Sequence, residues 1–265
     1  DFAKANDHVR SGIAASEPHD SQERFEGLGV TVLRDAARFT DETTVEAGDF
    51  RIKARRFVVA TGSTALVPPI PGLKEVPYLI NETLFELRET PTHLAIIGGG
   101  PIGLEMAQAH RRLGAEVTVF EAAKAFGKDD PELAGIVIGQ LRDEGIEILE
   151  ETAVERVEQA GEGVRVFARK ADGSPGETDA SHLLVAAGRA PNVENLGLDA
   201  AGIRFDRKGI EVDQGLRTSN RKVYAIGDVA GGLQFTHVAG YQAGLVIRSI
   251  LFRMPVKMNG TLVPW

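Results

Sequence analysis

His93-Leu94-Ala95-Ile96-Ile97-Gly98-Gly99-Gly100-Pro101-Ile102-Gly103 decides the fold. Residues 93–97 read as a buried strand, the next six match G-x-G-x-x-G, and residues 101–113 continue as a helix with Ala107 four positions beyond Gly103. In a chain with 30 glycines the bare pattern would carry little weight, so the strand before it and the helix after it give it meaning. Gly98 allows the tight turn, Gly100 lets a pyrophosphate approach the backbone, and Gly103 with Ala107 lets the helix lie close on the sheet. A phosphate at Gly98, Gly99, Gly100, Pro101, Ile102 and Gly103 would face the unpaired N–H groups and the positive dipole end of that helix. Ile102, Met106, Ala109 and Leu113 are expected to form the buried stripe.

Outward from this loop, Gly114 suits a left-handed helix cap and residues 116–120 form the next strand. Glu121 follows, 18 residues after Gly103. An acid there accepts hydrogen bonds from a ribose 2′-hydroxyl and repels a 2′-phosphate, which favours NAD(H) over NADP(H). Lys124, three residues on, pulls the other way. Asp130-Pro131-Glu132 opens a second helix with an N-cap acid and proline at the first helical position, and Gly145 ends it. Strands are expected at 146–149, 153–159, 164–168 and 182–186, with turns at 160–163 and 172–174. Alternating strand and helix followed by a β-meander predicts an α/β, Rossmann-like domain with a parallel sheet.

Before this unit, residues 2–15 have helical spacing through Phe2, Ala5, Val9, Ile13 and Ala14, and Pro18 is expected to interrupt them. A short second helix should run to Phe25, and strands should follow at 30–33, 43–45, 50–53 and 56–60. Residues 67–72, rich in proline, are an irregular connector, and residues 89–92 are a second linker.

The 265 residues carry 38 acidic against 30 basic side chains, a net charge of -8. That balance argues against nucleic acid or an anionic membrane as partner. No apolar run reaches membrane-span length and no signal peptide opens the chain, so cytoplasm is expected. With no cysteine, the chain has no thiolate nucleophile and no disulfide. The six histidines lack ligand spacing, and no metal is expected.

Three further blocks surround the glycine loop: Ala60-Thr61-Gly62-Ser63, Ala186-Ala187-Gly188-Arg189-Ala190-Pro191-Asn192, and residues 218–228 ending in Gly227-Asp228. Alone, Asp228 reads equally as a turn or N-cap residue. Together and in this order, the blocks closely resemble the FAD-dependent pyridine nucleotide-disulfide oxidoreductases, nearest the dihydrolipoamide dehydrogenase and mercuric-reductase-like members. The resemblance implies that Thr61, Gly62 and Ser63 lie at FAD and that Gly188 joins the glycine loop and Glu121 at NAD(H). Asp228 would accept from FAD hydroxyls. Thr236 and His237 would open a helix aimed at the flavin pyrimidine edge, where its dipole stabilises negative charge. Glu105 matches a family glutamate that pairs with a lysine, which this chain lacks. Pro101 stands where some relatives place an aromatic gate over the nicotinamide.

The resemblance also implies a division into residues 1–90 (part of an FAD domain), 91–212 (NAD(H) domain), 213–252 (FAD-domain return) and 253–265 (start of an interface domain). The family's ADP-binding glycine loop and Cys-x-x-x-x-Cys pair do not occur here, so the FAD site is expected to be incomplete. The implied parent is a homodimer, or part of a dehydrogenase complex. It would pass hydride between NAD(H) and FAD and on to a redox disulfide, while this chain alone would be inactive. The alternatives are a mercuric-reductase-type enzyme, a non-disulfide flavin-dependent NAD(P)H reductase or oxidase, and a nucleotide-sensing module without catalysis.

Overall fold

The structure is a computed structural model that describes residues 1–260. Two compact units divide the chain: one combines Asp1–Arg24 with Ala65–Gly188, the other Phe25–Thr64 with the chain from Arg189 onward. These units cut the chain elsewhere than the sequence blocks do. Residues 65–90 fall in the first unit because Leu73, Val76 and Leu84 are buried in its cores. Of the block 253–265, residues 261–265 lie outside the described residues.

In the first unit a four-stranded parallel sheet runs in the order His182–Val185, His93–Ile97, Glu116–Phe120, Glu147–Leu149. The sheet is covered on both faces, and this is why its strands read as continuous apolar runs. Leu94 and Ile96 point to one face, where they meet Leu104 and Ala107 of helix Pro101–Arg112 and Ile138 and Leu141 of helix Pro131–Asp143. Ala95 and Ile97 point to the other, against Val157, Val164 and Val166 of the antiparallel meander Ala153–Ala160, Gly163–Arg169, Pro175–Ala180. The last of those strands has no β-forming signature. Pairing decides it, with Arg165 bonded across to Asp179 at 2.6 Å.

The buried stripe of helix Pro101–Arg112 differs from the expected one. Gly103, Leu104, Ala107 and His110 face inward, while Ile102 and Leu113 stay more than a third exposed. The small residues Gly103 and Ala107 must face the sheet if the helix is to lie close to it, and this leaves Ile102 and Leu113 outward. Pro18 does not interrupt the first helix, which spans Phe2–Asp20 and breaks at Ser21, in extended backbone. In the final turn a proline removes one hydrogen bond without ending the helix.

The second unit holds an antiparallel sheet, Ala37–Asp41, Thr44–Ala47, Phe50–Lys53, and a parallel pair, Phe57–Val59 with Val223–Ala225. Helix Thr236–Phe252 closes it. Residues 30–33 are not a strand: Val30 is 50% exposed, and among the described residues no strand pairs with them. A strand needs partners as well as apolar residues. Strand Ala37–Asp41 was not legible, since its one large apolar side chain, Phe39, fixes it only through the core and through Phe39 N–H donating to the Leu196 carbonyl (2.8 Å). Among the described residues no helix is long and apolar enough to cross a membrane.

Glu144 ties helix Pro131–Asp143 to helix Pro101–Arg112. Its carboxylate accepts from Arg112 Nε and Nη2 (2.8 and 2.7 Å) and from Gln108 Nε2 (2.9 Å), while its carbonyl accepts from Arg111 Nε. The hydrogen-bonded Arg112 guanidinium holds the Glu144 carboxyl at about 2, against an ordinary 4.5. A depressed carboxylate stabilises the fold fully above its unfolded value, and that stabilisation is lost as pH falls through the folded one. Glu144→Gln should therefore flatten the fall in melting temperature between pH 4.5 and about 2 relative to the wild type, as followed by circular dichroism.

Candidate nucleotide sites

Each glycine of the loop in the first unit has its own physical reason. Gly98 sits at φ +115°, and a side chain there would run into the Ala186 carbonyl. A methyl on Gly103 would overlap the Gly98 carbonyl oxygen, and one on Gly99 would come within 3.0 Å of Glu121 Cβ. Gly100 differs. It is the N-cap of helix Pro101–Arg112 with no side-chain cap, and a methyl on it would meet nothing within 4 Å. The loop thus closes tightly beneath and opens outward at the helix N-terminus, a cradle of backbone donors that fits a pyrophosphate.

Glu121 follows strand Glu116–Phe120 at the carboxyl end of the sheet. Its Oε2 accepts from Gly99 N–H (2.7 Å) and its Oε1 from Ala123 N–H (2.8 Å). Each oxygen keeps a lone pair for a further donor such as a ribose hydroxyl. Gly188 has φ +116° and follows Ala186-Ala187, the backbone against which Gly98 packs. Glu105 is exposed on the helix, with no ion pair among the described residues.

The second unit gathers Thr61, Gly62, Ser63 and Asp228 from distant parts of the chain. Thr61 Oγ1 donates to the Asn192 carbonyl and Asn192 Nδ2 donates back to the Thr61 carbonyl, both at 2.8 Å. Ser63 Oγ donates to Asp228 Oδ2 (2.5 Å) and accepts from Arg189 Nε (2.7 Å). Arg189 Nη2 also donates to the Ser63 carbonyl (2.6 Å). A cavity of about 390 Å³ opens here, lined by Gly62, Arg189, Gly227, Asp228, Gln234 and Thr236 among others. Thr236 begins helix Thr236–Phe252, whose N-cap Phe235 supplies no side-chain cap. The His237 ring stacks on Phe235 (5.3 Å, 8°) and does not line the cavity. A carboxylate beside an uncapped helix start suits a ligand with both hydroxyl donors and carbonyl or anionic acceptor parts, as FAD has.

Two supports were not legible in the sequence as site residues. Arg189 clamps Ser63 from 126 residues away; its block, residues 186–192, stands out in the sequence, but the contact with Ser63 does not. Gln242, 4% exposed, accepts from Gly227 N–H through Oε1 (2.7 Å) and so fixes the turn that presents Asp228.

The chain belongs to the pyridine nucleotide-disulphide oxidoreductase family, which it matches over residues 5–243. It is similar to the mercuric reductase of Bacillus cereus, 37% identical over 91% of this chain and 38% of that protein. It is also 37% identical to the probable pyridine nucleotide-disulfide oxidoreductase RclA of Escherichia coli K12, over 72% of this chain and 43% of RclA. The solved HOCl-induced flavoprotein disulfide reductase RclA from Escherichia coli superposes with a TM-score of 0.86 at 29% identity, covering 97% of this chain and 59% of that one. The chain thus spans about two-fifths of the length of these curated relatives.

Because a methyl on Gly103 has only backbone to push against, Gly103→Ala should lower stability by about 1–3 kcal/mol in urea denaturation, whereas Gly100→Ala, with open space around it, should cost less than about 1 kcal/mol.

Proposed function

We propose that this chain is the nucleotide-handling part of a flavin-dependent, NADH-linked oxidoreductase of the mercuric reductase and RclA type. The chemistry supplied by the bound pair is two-electron transfer from nicotinamide to flavin and on to a disulfide or a soft metal ion. The chain's own residues bind and orient. The Gly98 to Gly103 cradle takes the pyrophosphate of NAD(H), and Glu121 takes its ribose hydroxyls and disfavours a 2′-phosphate. Asp228, held on one oxygen by Ser63, offers its other oxygen to FAD hydroxyls, with Thr236 and His237 at the helix start beyond. The closeness to mercuric reductases and RclA supports this branch over a dihydrolipoamide dehydrogenase. Without a cysteine the chain offers no thiol to a disulfide or a mercuric ion, so we expect no turnover of either by it alone.

The observation that carries this reading is the Glu121 carboxylate bonded to Gly99 N–H inside a loop that opens only at Gly100. Calorimetric titration tests it. NADH should bind saturably, NADPH more weakly, and Glu121→Ala should weaken NADH about tenfold, the worth of one charged hydrogen bond. Absence of NADH binding would sink the reading. For the second site, Asp228→Ala should reduce the quenching of FAD fluorescence on mixing with the protein, and unchanged quenching would remove Asp228 from it.

A further inference from the structure

Lys124 stands three residues after Glu121, on a segment that flanks the glycine loop: Phe126 N–H donates to the Gly99 carbonyl (3.0 Å), and a methyl on Gly99 would lie 3.2 Å from Ala125 Cβ. An ammonium so placed would be a natural counterion for a 2′-phosphate, against the preference set by Glu121. Its position in the structure removes that conflict. Lys124 Nζ lies 3.2 Å from Glu151 Oε2. The backbone holds Glu151 opposite it: Glu151 N–H donates to the Ala123 carbonyl (2.8 Å) and Thr152 N–H to the Glu121 carbonyl (2.9 Å). Next to it, Glu150 accepts from Ala125 N–H (3.1 Å) and from Arg142 Nη2 (2.9 Å). Three carboxylates therefore line this rim, and Lys124 and Arg142 are each engaged by one of them.

We propose that Glu151 is a specificity-determining residue, which by holding Lys124 denies the 2′-phosphate of NADP(H) its counterion. Rejection of NADP(H) then rests on Glu121 and Glu151 together. The inference rests on the reading of the glycine loop as the NAD(H) site. The Lys124–Glu151 pair is more than half exposed on both sides, so it adds little to stability. Its effect lies in what it does to an incoming dianion, which gains a cation and loses a repelling neighbour once Glu151 is neutral.

The test is calorimetric titration of the whole chain with NADH and NADPH, for the wild type, Glu151→Gln, Lys124→Met and the double variant, each checked for folding by circular dichroism. Glu151→Gln should tighten NADPH roughly three- to tenfold, with NADH changed by less than about twofold, and the gain should shrink with added salt. The double variant should lose the gain. Unchanged NADPH affinity in Glu151→Gln overturns the proposal, as does a gain that survives Lys124→Met, which would assign the effect to another cation. If the wild type fails to bind NADH, the site reading itself falls, and this proposal with it. If NADH binds and only the Glu151 effect is missing, the site stands and the proposal alone is wrong.

Discussion

The close approach of Gly103 to the Gly98 carbonyl is the constraint on which the first unit depends. No side chain fits between them, so the helix can begin only where its first turn presses on the end of the strand. Leu104 and Ala107 then reach the sheet face formed by Leu94 and Ile96, and the helix buries its small residues at the expense of Ile102 and Leu113. Parallel pairing of Ile97 with Phe120 brings Glu121 level with the loop, where its carboxylate can take the Gly99 N–H. Packing, register and the polar geometry of the site thus follow from one position that tolerates nothing larger than hydrogen.

The second site depends on side chains instead. Its carboxylate is presented by a turn pinned from beneath by Gln242 and from the side by the chain Arg189–Ser63–Asp228. Hydrogen bonds of this kind are each worth about 1 kcal/mol net, and removing one member leaves the others unsatisfied. A site built this way is more sensitive to single polar substitutions than one built from backbone.

That difference also explains what the sequence makes legible. Strands His93–Ile97 and Glu116–Phe120 could be read to the residue because both faces are buried and a glycine or helix signal marks their ends. Helix Pro131–Asp143 could be read from Asp130, whose side chain does accept from Glu132 and Leu133 N–H. Strand Pro175–Ala180 and strand Ala37–Asp41 could not, because partners elsewhere in the chain impose them. The same holds within the sites. Gly98, Gly103 and Glu121 lie within one βαβ unit, so spacing alone brings them together. The Ser63–Asp228 bond joins residues 165 apart, and the resemblance to a family suggested their closeness while only the structure shows the bond.

Charge adds a further constraint. A chain with a net charge of -8 has little field with which to attract the anionic dinucleotides proposed for it. Two cations near the glycine loop are already engaged, Arg142 with Glu150 and Lys124 with Glu151. In the proposed site, phosphate recognition would fall to backbone N–H groups and the helix dipole, which act at contact distance and are fixed before a ligand arrives. Backbone donors at a helix start do not distinguish one pyrophosphate from another. On the reading proposed above, discrimination between dinucleotides falls to the carboxylates at the rim.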